Sequence, residues 1–359
     1  MATATADAPT FVRADRVLLA LGAGLTVAAG VVHFVSVPVV LAFLVCAAAV
    51  AVLAAVVGRS VDQLSGRLGA GATGVLQSAL GNLPELFIAL FALRAGLVQV
   101  ATSAVIGSIL ANILLVLGLA FLVGGLRNGT QRFSAESARL MVTLMLLSTG
   151  VLLIPSLTAV LHVPAAEHET TLSVIAAVVL LVVFAASVPA TLRAGALGPA
   201  PEKDEARWSL GLAVGVLAVT GVLAAVVSDW FVDALQPAIE ALHMSQAFAG
   251  LVVVAIAGNA VENVVGISLM RDDKADYALS VILNSPVQIS LVLAPVLVLL
   301  APLVGAATFT LVFAPLLIAS VAIAMIVVTV IVLDGESTWL EGVALVGLYV
   351  VIAASFWWG

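Results

Sequence analysis

The sequence predicts an all-α polytopic membrane protein of about 11 transmembrane helices, one leading helix followed by two inverted five-helix repeats. Three observations carry that prediction. The 359 residues are 63% apolar and 9% charged, whereas a soluble domain carries about 25% charged residues. The apolar residues gather into runs of about 20, the length a helix needs to cross the hydrocarbon core. Polar and glycine residues also recur at one fixed offset between the two halves of the chain.

In chain order, the polar stretch Met1–Arg16 leads into the apolar run Val17–Phe34. No clear small-residue cleavage site separates that run from the next, so it is expected to be the leading helix rather than a secretory signal. Further apolar runs follow near 36–57, 72–93, 98–124, 138–161, 171–192, 209–228, 247–270, 276–301, 307–333 and 339–358. A membrane barrel is excluded, because its strands would be short and alternating while these runs are apolar on every side. The longest polar interruption, Leu192–Trp208, is expected to be a cytoplasmic linker. The expected organisation is therefore 1–35 for the tail and leading helix, 36–192 for the first repeat, 193–208 for the linker and 209–359 for the second repeat. Cys46 is the single cysteine, so an intrachain disulfide is impossible. His162 and His168 lie beside Glu167 and Glu169 in what is expected to be a solvated loop.

Basic residues check the span count. Of the 13 Lys and Arg, all but Arg94 fall in loops on the N-terminal side of the expected bundle. By the positive-inside rule the protein is expected to be a multi-pass inner-membrane protein with its N-terminus cytoplasmic and its C-terminus outside, Trp357 and Trp358 anchoring that end at the interface.

Adding 177 to Gly81, Asn82 and Glu85 reaches Gly258, Asn259 and Glu262, and the same offset joins Arg94 to Arg271, Ser103 to Ser280 and Ser108 to Ser285. A unit of five helices is odd, so the second copy must enter the membrane from the opposite side. Inverted repeats of this kind build secondary transporters, with sites near the midplane where the copies meet.

Of the 20 acidic residues, only Glu85 and Glu262 lie near the middles of spans. A charge there costs at least a few kcal/mol unless it is paired, protonated or bound to a cation. One protonated glutamate bonded between helices would not explain two at equivalent repeat positions. Asn82 and Asn259 stand three residues before the glutamates, on the same helix face. Gly81 and Gly258 weaken the helix beside them, and Pro84 removes a backbone donor. Two carboxylates, amide oxygens and freed carbonyls make a hard-oxygen shell suited to Ca2+. No Cys, His or Met accompanies them, which disfavours soft metals. The next helix of each half adds Ser108 with Asn112, and Ser285 with Gln288, at helical spacing. Asp229, Asp233 and Glu240 are expected to form a solvated acidic mouth beyond the seventh span.

Two nearby carboxylates cannot both ionise cheaply, so at least one should hold a proton near neutral pH, and a divalent cation should expel it. That competition is the basis of antiport, with Ca2+ and H+ as the transported species, membrane lipid as the partner, no resident cofactor and no nucleic acid. An intramembrane aspartyl protease would need paired aspartates within the spans, and a channel would need filter rings; neither is present in the sequence. The chain is thus not expected to be an enzyme.

The stretch GNLPELFIALFALRAGLVQVATSAVIGSILANILLVLG, from Gly81 to Gly118, resembles the first repeat motif of the cation/proton exchangers, the Ca2+/H+ antiporter family of the Ca2+/cation antiporter superfamily. Gly258–Pro295, with GNAVEN and NSPVQISL, resembles the second motif, and DGESTWLEGVALVGLYVVIAASF from Asp334 is similar to the end of that family. The resemblance implies an eleven-helix fold, with Ca2+ held by Glu85 and Glu262 and roles for Asn82, Asn259, Ser108, Asn112, Ser285 and Gln288. The chain departs from the family where Asn263 replaces the usual histidine, at Asn284-Ser285-Pro286-Val287-Gln288, and at Pro84. These departures spare the carboxylates and leave open a Na+-coupled exchanger, or one for another cation.

Overall fold

The computed structural model describes residues 10–65, 80–195 and 207–358, with the side chains at 65, 190–195, 261 and 262 outside that description. The start of the expected third span, most of the linker and the Glu262 side chain therefore lie outside the described residues. The chain is nearly all helix: α1 (Arg13–Phe34), α2 (Val39–Ser65), α3 (Leu83–Arg94), α4 (Val98–Asn128), α5 (Ala135–Val160), α6 (Glu169–Gly195), α7 (Leu210–Leu242), α8 (Gln246–Gly258), α9 (Ala260–Arg271), α10 (Ala275–Val304), α11 (Pro315–Val332) and α12 (Trp339–Ser355). Two short strands, β1 (Gln131–Arg132) and β2 (Glu336–Ser337), pair antiparallel.

Among the described residues eight helices are long and apolar enough to cross a membrane, or nine if the bent pair α8 and α9 counts as one span. That pair turns by 62° between 246–258 and 263–271. Helix α12, at 17 residues, falls just short, and α3 is the described end of the expected third span. The count of about 11 is therefore not reached on this measure.

One expected boundary is corrected. Helix α7 does not stop at 228 but runs to Leu242. Phe231, Val232, Leu235, Ala238 and Ile239 are buried and extend its apolar face at helical spacing. Asp229, Asp233 and Glu240 are exposed on the same helix, not in a loop beyond it. A cut made at polar residues mistakes a wet helix face for a helix end.

The repeat is present in the backbone. Helices α3 and α9 are each 12 residues long and begin 177 positions apart. The residue before each has nearly the same conformation, φ −98°, ψ 23° at Asn82 and φ −93°, ψ 20° at Asn259. After each helix the chain passes through the left-handed region at equivalent positions, Gly96 (φ 76°) and Asp273 (φ 59°). Helices α4 and α10 each contain a π-helical segment, Ala111–Val116 and Ile289–Leu293, at matching places. Such insertions are rare and gather at functional sites.

The copies run in opposite directions. The Leu93 carbonyl, at the end of α3, accepts from the Ala307 amide at 3.4 Å, in the segment after α10. At the end of α9 the Arg271 carbonyl accepts from Asn128 Nδ2 at 3.1 Å, at the far end of α4. Since α4 starts beside the end of α3 and spans the bundle, the equivalent residues Arg94 and Arg271 lie at opposite ends. At the Arg271 end three loops are knitted together: Gln131 Nε2 donates to the Met270 carbonyl at 2.8 Å and to Asp273 Oδ1 at 3.0 Å, and β1 pairs with β2. Arg271 Nε donates to the exposed Asp272 carboxylate and holds it below the usual carboxylate range.

Helices pack where glycines let backbones meet, as expected in lipid, where close van der Waals fit replaces the hydrophobic drive. Gly107 of α4 lies against the Leu251 backbone of α8, and Gly250 of α8 lies against the Val100 carbonyl. A Cβ on Gly118 would come within 2.9 Å of the Gly342 carbonyl of α12.

A polar cluster pins α1 to the rest. Asp15 is 2% exposed. Its carboxylate accepts from Arg59 Nε at 2.8 Å and from Trp208 Nε1 at 3.2 Å. Gln63 Oε1 accepts from the backbone amides of Arg207 at 2.9 Å and Trp208 at 3.1 Å. The polar leader of the sequence thus already belongs to a helix at Arg13, with Asp15 in its first turn.

Candidate functional site

The break before α3 and the bend before α9 bring the two copies of the motif face to face. Glu85, in the first turn of α3, is 7% exposed. Its side chain rests on Gly258 of the other repeat: a Cβ there would lie 2.7 Å from Glu85 Cγ and 3.2 Å from Cδ. Gly258 is therefore needed for space as well as for the bend. Glu85, Ala104, Ser108, Val254 and Ile289 are among the residues lining a cavity of ≈ 10 Å³. That is about the least volume that holds one water.

The expected neutral residues divide into two groups. In the first, Asn82 Nδ2 donates to Gln288 Oε1 at 3.2 Å, joining the start of α3 to α10. In the second, Asn259 Nδ2 donates to Ser108 Oγ at 2.9 Å and to the Ala255 carbonyl at 2.9 Å. Asn259 Oδ1 accepts from Asn112 Nδ2 at 2.9 Å and from Ser285 Oγ at 3.2 Å. Asn112 Nδ2 also donates to the Ser108 carbonyl at 2.9 Å, and with its two hydrogens so directed it makes a longer, shared contact of 3.2 Å with Ser285 Oγ. Each motif asparagine is thus bonded to an amide from the opposite repeat, although Ser285 and Gln288, expected on one face, serve different asparagines.

Of the ten residues singled out by sequence, Asn82, Glu85, Ser108, Asn112, Gly258, Asn259, Ser285 and Gln288 join these two groups or touch across the repeats. Gly81 lies in the turn just before α3. The side chain of Glu262 lies outside the described residues. Sequence reasoning missed the π-helical segments that carry Asn112 and directly follow Gln288. It also missed the helix crossing at Gly107 and Gly250. The spacing of Ser103, Gly107 and Ala111, small residues four apart, carried the signal for that crossing. Asn263 Oδ1 is buried without a hydrogen-bond partner among the described residues.

Two inverted copies meeting at a buried carboxylate within a bundle of apolar helices define a membrane protein with the architecture of a secondary transporter. The chain belongs to the sodium/calcium exchanger protein family, which matches residues 38–192 and 212–358. A Ca(2+)/H(+) antiporter of Synechocystis is 34% identical over 337 residues, 88% of this chain and 90% of that protein. The Ca(2+)/H(+) antiporter ChaA of Bacillus subtilis is 32% identical over 349 residues, 95% of this chain and 97% of that one. Among solved structures, native YfkE superposes with a TM-score of 0.80 at 29% identity, covering 95% of this chain and 99% of its own. The H+/Ca2+ exchanger CAX superposes with a TM-score of 0.76 at 16% identity, over 95% of this chain and 91% of its own, a likeness of fold.

Proposed function

We propose that this protein exchanges Ca2+ for protons across the inner membrane, at a midplane site built on Glu85 and Glu262. The observation that carries the reading is the Glu85 carboxyl, buried against Gly258 of the opposite repeat within a bundle of apolar helices. The names of the bacterial relatives support the choice of ions. Around the carboxyls the proposed shell comprises Asn82, Asn259, Ser108, Ser285, Asn112 and Gln288, with Gly81 and Gly258 shaping the helix ends. A proton on a carboxyl and a cation between the two carboxyls are alternative ways to cancel the same buried charge. Only a neutralised site is cheap to carry through the bilayer, which couples outward movement of one ion to inward movement of the other.

The leading segment 1–35, the repeats 36–192 and 209–359 and the linker 193–208 form the proposed organisation, with the N-terminus cytoplasmic and the C-terminus outside. A cysteine placed at Arg132 should then label from the cytoplasm, and one at His168 from outside. Labelling of both from one side would refute the topology.

A second reading, exchange coupled to Na+, is left open by Asn263, which departs from the histidine that the resemblance to the cation/proton exchangers implies. Ca2+ flux in proteoliposomes under an imposed pH gradient, with Na+ absent, decides between the two. Uptake that needs a Na+ gradient and survives collapse of the pH gradient would establish the second.

A further inference from the structure

The two motif asparagines look equivalent in sequence, yet their hydrogen bonds give them different work. Asn259 is fully buried, and each polar atom of its side chain makes two bonds, as described above. Its amide orientation is fixed by the Ala255 carbonyl, which can only accept and so must face Nδ2. With Oδ1 receiving two donors, both of its lone pairs are used, and none is left for a cation.

Asn112 is oriented by the same logic. Its Nδ2 faces the Ser108 carbonyl, the Asn259 oxygen and Ser285 Oγ, so its own oxygen must point the other way. Asn112 Oδ1 is fully buried and has no hydrogen-bond partner among the described residues. A buried amide oxygen left unsatisfied costs about 1–3 kcal/mol, and native structures leave few such atoms without a reason. On the same helix, one turn earlier, Ser108 lines the cavity that Glu85 also lines.

From this we infer that Asn259 is a positioning residue, not a ligand, and that the oxygen it presents to the cation is Asn112 Oδ1. The inference rests on the exchange reading above and assigns separate roles within its shell. Asn259 holds the Asn112 amide by its nitrogen, which aims the oxygen away from the polar cluster. Asn82, among the described residues, bonds only the Gln288 side chain through its nitrogen, which leaves its oxygen in the proposed shell.

The test is Ca2+ flux in proteoliposomes of the full chain, read as KM and maximal rate, for Asn112→Ala, Asn259→Ala, Asn259→Leu and the Asn112→Ala/Asn259→Ala double variant. Removing an outer-shell partner costs roughly 10- to 100-fold in metal affinity, so Asn259→Ala should raise KM by about that much with little change in maximal rate. The loss in the double variant should fall well short of the product of the two single losses, because the part of the Asn259 effect that runs through Asn112 is already gone and only its bonds to Ser108 and Ser285 remain to be lost. Asn259→Leu, of similar volume, removes the oxygen that holds the Asn112 nitrogen and should be as impaired as Asn259→Ala, which keeps the test open if the alanine variant does not fold. Fully multiplying losses in the double variant, or unimpaired affinity in Asn259→Leu, would overturn the inference while leaving the exchange reading standing, provided Glu85→Gln is inactive. Normal flux in Glu85→Gln would overturn both.

Discussion

Asn82 and Asn259 share a backbone to within a few degrees and differ in almost everything around it. Asn82 is 6% exposed and bonds one amide, whereas Asn259 is fully buried and bonds two side chains of the first repeat, one of its own, and its own backbone. Equal backbones come from the repeat; unequal surroundings come from the helices that follow. Asn112 has Ile289 at its repeat equivalent and Gln288 has Ala111, so each half carries its amide one position away from the other's. An inverted repeat therefore fixes where two helix ends meet but leaves each free to take a different share of the chemistry.

The largest effect should come from the carboxyls, where the halves are expected to be alike. Glu85→Gln and Glu262→Gln should each abolish exchange in proteoliposomes while the protein stays folded by size-exclusion profile. Appreciable Ca2+ transport by either would break the symmetry at its centre. Next comes Gly258→Ala, whose Cβ would lie 2.7 Å from Glu85 Cγ. Overpacking of this kind costs about 1–3 kcal/mol, so Ca2+ affinity should drop roughly tenfold or more; an unaffected variant would mean that the Glu85 side chain moves aside freely. Smaller losses should follow Asn82→Ala and Ser285→Ala, since water can partly replace a neutral oxygen. Full activity in both would reduce them to packing residues.

The finest distinction concerns pH. Protons and Ca2+ compete for the same oxygens, so apparent Ca2+ affinity should fall as pH drops. Asn263 withholds a group with a reference pKa of about 6.5 from that titration. Asn263→His should therefore alter the pH profile of Ca2+ uptake without being required for it, and an unchanged profile would place residue 263 outside the coupling.

Much of this fold was legible because its two strongest constraints leave marks in the sequence. Lipid demands long apolar runs, and a duplicated unit keeps its polar residues at a fixed offset; Gly81, Asn82 and Glu85 could be laid on Gly258, Asn259 and Glu262 for that reason. What escaped notice depends on relations that no window of sequence contains. Asp229, Asp233 and Glu240 break up hydropathy but not helical periodicity, so the end of α7 was expected too early. That Ser285 and Gln288 serve different asparagines depends on where Asn259 and Asn82 come to lie across the bundle, which a spacing of three in sequence does not contain. The burial of Asp15 depends on Arg59 and Trp208, the latter 193 positions away.

That last arrangement bears on how the protein is made. Only Asp15, Gly22 and Ala29 of α1 are buried, so its apolar surface faces lipid as readily as protein and gives little reason to settle in one place. The carboxylate and Arg59 emerge from the ribosome early, but the indole that completes the cluster comes only after the whole first repeat. The leading helix can therefore enter the bilayer first and still be among the last to dock, waiting on a tryptophan at the threshold of the second half.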